Sequence, residues 1–161
     1  MNKIFTATSL LMLTGWSTGF SKPEPKVEAT LAPKPEIPKI ITEGLAVYQA
    51  TGAKEALATW LKGSPVEKDT TTNNNITTLL SQVEGAYGKI SGFEPIRLVA
   101  VAPSVQRLYF IIKYERGPLY GLFDCFKSRS GWVVNNIEFN IVAKAIVPQA
   151  ILEGTSKVSA P

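Results

Sequence analysis

The feature that most constrains this chain is a change of hydrophobic period near Phe93. Upstream of it, apolar residues recur three and four apart, the period of a helix with one buried face. Ile40, Ile41, Gly44, Leu45 and Tyr48 share one face, and Thr51-Gly52 closes that segment. A second run, Ala53 to Lys62, presents Leu57, Trp60 and Leu61 and stops at Gly63-Ser64-Pro65. A third carries Ile76, Leu79, Leu80, Val83 and Tyr87, with Ile90 at the end of the stripe. The polar stretch before it, Asp69 to Asn75, is rich in cap-forming side chains. Asn75-Ile76-Thr77 has the form of a glycosylation sequon but is read here as capping chemistry. Gly85 and Gly88 are read as letting the third helix approach the sheet closely.

Downstream of Phe93 the period falls to two, the signature of strands. Ile96, Leu98 and Ala100 alternate with Arg97, Val99 and Val101 until Pro103. Arg107 to Tyr114 is bulky on both faces, and Glu115-Arg116-Gly117-Pro118 is a turn signal. Leu119 to Lys127 follows, then the turn Ser128 to Gly131, then a long strand from Trp132 to Ile141. Strict alternation places Val133, Ile137, Phe139 and Ile141 on one face of that strand. Trp132, Val134, Asn136, Glu138 and Asn140 fall on the other. Short turns make these strands an antiparallel meander. Helices first and strands afterwards predict an α+β domain, with N-terminal helices packed on a curved antiparallel sheet of about four strands.

The ends of the chain read differently. Met1-Asn2-Lys3, an apolar run from Ile4 to Gly15, and small residues to Ser21 match a secretory signal peptide over residues 1–21. The expected location is therefore periplasmic or extracellular, with membrane contact only through an uncleaved signal segment. Residues 22–38 hold five of the chain's eleven prolines, as an extended, solvated tether would. The domain is expected over 39–149, with a flexible tail over 150–161.

Composition narrows the chemistry. Without histidine there is no Ser-His-Asp triad and no imidazole-ligated metal, and one cysteine forms no internal disulfide. Cys125, in the strand segment Leu122-Phe123-Asp124-Cys125-Phe126, reads as a buried, inert thiol. The net charge of +4 is carried by scattered single lysines and arginines, so no nucleic-acid partner is expected. No cofactor or metal is expected either. Gly85, Gly88 and Gly92 lack the preceding strand that a phosphate loop needs.

Ala53 to Pro65, the Leu108 to Tyr114 strand before Glu115-Arg116-Gly117-Pro118, and Ser130-Gly131-Trp132-Val133-Val134 carry a resemblance. In these segments, over residues 37–148, the chain resembles the NTF2-like (cystatin-like α+β cone) superfamily. The resemblance implies a twisted sheet curling round a long helix. It implies no single activity, because such relatives include enzymes, binding modules and dimerisation domains. Three functions are compatible with it. The first is a non-catalytic exported domain binding a small ligand or protein partner through the concave sheet face, with Arg97, Tyr114, Asp124, Trp132, Asn136 and Glu138 as candidate contacts. The second is a homodimeric envelope protein joined through the sheet. The third is a small isomerase-like enzyme using Asp124 with Tyr109, Tyr114 or Tyr120.

Overall fold

The computed structural model describes residues 35–154. The expected signal segment, the tether up to residue 34 and the tail from 155 onward lie outside the described residues. Three helices, α1 (Lys39–Thr51), α2 (Ala53–Trp60) and α3 (Thr70–Tyr87), come first. Four strands follow: β1 (Ile90–Ala102), β2 (Val105–Tyr114), β3 (Pro118–Ser128) and β4 (Gly131–Asn140). Two short helices, α4 (Ala143–Ile146) and α5 (Gln149–Leu152), complete the order. The strands pair antiparallel in the order β1-β2-β3-β4, a meander, and the helices pack on the curved sheet. The α+β architecture expected from the change of period is the one observed. No helix among the described residues is long and apolar enough to cross a membrane.

Local chemistry sets the helix ends. Gly52, at φ 105°, separates α1 from α2 and returns its N–H to the Tyr48 carbonyl at 3.1 Å. Asp69 caps α3: its carboxylate accepts from the Thr72 N–H at 3.1 Å and from the Thr72 hydroxyl at 2.7 Å. Asn75 lies inside the helix, so the cap sits six residues earlier than the sequon suggested. Gly85 faces open space and makes no close approach.

Gly88 does make one, since a side chain there would meet Glu115, and the others fall at glycines outside α3. A side chain at Gly44 would collide with the Trp60 indole, so its absence lets α2 settle against α1. The fully buried Trp60 then donates from its ring nitrogen to the Ile41 carbonyl at 3.1 Å. Gly121 leaves the space that the Phe110 ring fills, and Phe110 stacks on Phe123 at 4.7 Å and 12°. Each such fully buried side chain contributes roughly 1.5–3 kcal/mol through the surface it removes from water. Trp60, Phe110 and Phe123 thus fill the space between helices and sheet with ring carbon rather than leaving it open.

Bulges in β1 and β4 overturn the simple alternation. In β4, Asp124 pairs with Asn136 but Cys125 pairs with Val134, leaving Asn135 as the extra residue. Val134 therefore joins Ile137 in the helix-side core, and Trp132 packs against that same core. Neither stays with Asn136 and Glu138, as strict alternation predicted. β1 holds three extra residues, Ser91, Ile96 and Val101, and the one at Ile96 turns Ile96 and Val99 to one face and Leu98 to the other.

The second face of the sheet carries its own small cluster. Tyr109 and Leu122, with Ile96, Val99 and Tyr120 around them, are covered by Ile146 of α4, Val147 just after it and Ile151 of α5. α5 brings Ile151 to this cluster.

Candidate functional site

Register sorts the six candidate residues into two groups. Arg97 lies opposite Tyr109, and Glu138 lies opposite Leu122, one row across the second face. In the next row Arg107, Asp124 and Asn136 are direct neighbours. Arg107 grips both oxygens of Asp124, at 2.6 and 2.8 Å, and this pairing raises the guanidinium's proton affinity above its ordinary value. Asn136 donates its amide to Glu138 at 2.7 Å. Arg97, Asp124, Asn136 and Glu138 thus share one face without converging on a cavity. Asp124 is a bidentate ion pair rather than a base aimed at a substrate.

Tyr114 and Trp132 are on the helix side. Tyr114 is buried, with its hydroxyl 2.8 Å from that of Tyr48, which also donates to the Leu80 carbonyl at 3.4 Å. Burial pushes the Tyr114 phenol up to about 12 and raises that of Tyr48 further, with the Glu84 carboxylate adding to both. Such phenols keep their protons, as a packing pair does. The arrangement assumed for isomerase-like chemistry, Asp124 beside Tyr114, is broken by their opposite faces. Tyr109 and Tyr120 do share the face of Asp124, but they belong to the cluster under α4 and α5. Cys125 is 2% exposed, and burial with the neighbouring Asp124 raises its thiol to about 12, so it is no nucleophile.

A concavity does exist, away from all six candidate residues. It lies between α3 and the end of β4, has a volume of about 360 Å³, and is lined by Leu79, Val83, Ala86, Tyr87, Phe139 and Ile141. Gln82 and Asn140 supply its polar groups, and it has no charged lining. The Asn140 side-chain oxygen already accepts from the Val142 N–H at 2.8 Å, which fixes that side chain.

The walls are held from behind. Phe139 stands edge-on to Phe110 and Phe123 in the core, and Tyr87 stands edge-on to Tyr114. The β2–β3 turn closes over the end of α3, where Arg116 N–H bonds the Tyr87 carbonyl at 2.9 Å and Glu115 N–H bonds that of Lys89 at 3.1 Å. Gly117 has no side chain to push the Tyr87 ring away. The groove is a pre-formed apolar seat of the lower size class for ligand sites.

A second concavity of about 340 Å³ lies between α2 and α3, lined by Lys54, Leu57, Glu67, Asn73 and their neighbours. Part of its polar lining is engaged by the chain itself, while the buried Asn73 side-chain oxygen has no hydrogen-bond partner. Glu67 accepts from Gly63 N–H at 3.0 Å, and Asn73 donates to the Glu67 carbonyl at 2.9 Å. They brace the α2–α3 loop.

The α3–β4 groove left one trace in the sequence. The third helix carries a wider apolar stripe than the core covers: only Leu80 and Val83 are buried, whereas Leu79 and Tyr87 are half-buried. Comparison with protein-family models, curated proteins and solved structures found no match to this chain.

Proposed function

We propose that this chain is an NTF2-like α+β domain, exported by its N-terminal segment, that works by binding an apolar group rather than by catalysis. The observation that carries the reading is the uncharged α3–β4 groove, backed by rigid aromatic packing and open to solvent. The groups that acid–base chemistry would need are engaged elsewhere: Asp124 by Arg107, and Tyr114 by Tyr48. The binding seat moves from the concave sheet face to the space beside β4, because rings fill the helix side of the sheet. A homodimer through the second face would have to displace Val147, Ile146 and Ile151 from their cluster.

The test is a fluorescence titration with anilinonaphthalene sulfonate, whose emission rises in apolar surroundings. Ala86→Trp, at an exposed position in the groove wall, fills the seat without entering the core. The dye is expected to bind the unaltered chain and to lose about tenfold in affinity to the variant, equivalent to about 1.4 kcal/mol. Phe126→Ser, which removes an exposed ring outside the groove, serves as the control and should bind normally. Equal binding by Ala86→Trp and the unaltered chain would refute the seat.

A further inference from the structure

The groove runs beside an unpaired strand edge. β4 pairs with β3 on one side and, among the described residues, has no strand on the other. Its outer edge therefore offers a row of backbone donors and acceptors next to an apolar trough walled by α3. A helix and an edge strand flanking such a trough are the elements used to capture an extended peptide by strand addition. We infer that the groove receives an extended peptide segment of a partner protein, added to the sheet as a fifth strand along the Ile137–Asn140 run. This inference rests on the groove being the binding seat.

The chemistry of the segment follows from the two faces of β4. Side chains of an added strand alternate between faces. On one face they meet Phe139 and the trough of Leu79, Val83 and Ala86, which accepts aliphatic or aromatic groups. On the other they meet Glu138, which is exposed and is the only ionisable residue of β4. A basic side chain complements it, so the segment reads apolar, basic, apolar. The bulge at Asn135 interrupts the edge and confines addition to the strand's C-terminal half. Glu138 also argues against a second copy as occupant, since pairing two β4 edges over this short run brings like charges together.

The test uses capped, end-labelled peptides alternating Lys with Leu, Phe or Tyr, titrated by fluorescence anisotropy and mapped by amide chemical shifts. Binding is expected, with shifts concentrated on Ile137–Asn140 and on the groove face of α3. N-methylation of the edge-facing peptide amides should weaken it by about tenfold or more, the loss of more than one backbone hydrogen bond. Glu138→Gln should weaken Lys-containing peptides about threefold and leave Ser-containing ones unchanged. If N-methylated peptides bind as well as the parents, strand addition is wrong and the groove is only an apolar seat. Absence of peptide binding while the dye still binds leads to the same conclusion. Failure of both overturns the groove as well. Self-association of the chain along β4, detected by light scattering with the same shifts, would assign the edge to a second copy and overturn the peptide.

Discussion

Burial of weak acids away from water is the decisive property at the scale of single residues. Cys125, Tyr114 and Tyr48 all sit in the helix-side core, and each holds its proton above its ordinary value because water is excluded. A raised value in the folded state means that the native chain binds the proton more tightly than the unfolded chain does. Stability is then fully present below the unfolded values and is lost as pH rises through the folded ones. For Cys125 that window runs from 9.0 to about 12, and for Tyr114 from 10.0 to about 12. Denaturant midpoints are therefore expected to fall steadily above pH 9, and Cys125→Ala should delay the onset toward 10. A flat profile between pH 9 and 11 would contradict the burial of these groups. The sequence placed Cys125 on a strand that alternates it with Asp124 and Phe126, and its burial on the face opposite Asp124 follows from that alternation. It did not show Tyr114 meeting Tyr48, since their contact joins positions on a helix and a strand far apart along the chain.

At the scale of elements, one residue in β4 decides which side chains reach the core. Alternation was legible from Trp132 to Ile141, but its phase changes at Asn135, where the strand holds one residue more than its partner. A bulge has no strong composition signal, because it is selected by what the neighbouring strand must face. Deleting Asn135 is expected to restore strict alternation and swing Val134 and Trp132 away from the core in which Val134 is fully buried. The deletion should lower the thermal midpoint severely or prevent folding, whereas Asn135→Ala should change stability by less than about 1 kcal/mol at this exposed site. A calorimetric scan of the two variants separates these outcomes. The same shift explains why Trp132 left the candidate group while Asn136 and Glu138 stayed together.

For the whole molecule, the segment after β4 acts as a cover on the second face of the sheet. Residues 143–152 form only two single-turn helices with no persistence of their own, yet Val147 is 1% exposed and closes the cluster over Tyr109 and Leu122. Val147→Ala is expected to cost about 1–2 kcal/mol in urea unfolding and to speed amide exchange in the central strands. A Val147 side chain that did not pack on the sheet would show neither effect. With this cover in place, the second face is no longer a bare sheet, and the exposed apolar surface beside Ile141 and Val142 stands next to the α3–β4 groove instead.

The order of elements, the meander and the α+β class were determined by the sequence itself, because hydrophobic period and turn chemistry are local properties. The absence of histidine closed off whole classes of catalysis in the same way. Only the tertiary structure decided where the concavity lies, which face each β4 residue takes, and that the C-terminal helices dock on the sheet. Those outcomes depend on pairings between distant residues: Val134 and Asn136 against Cys125 and Asp124 on either side of the bulge, Leu79 and Val83 beside Phe139, and Val147 against Tyr109. No local pattern encodes such pairings, since each is fixed by the volume and register left when the other elements have packed.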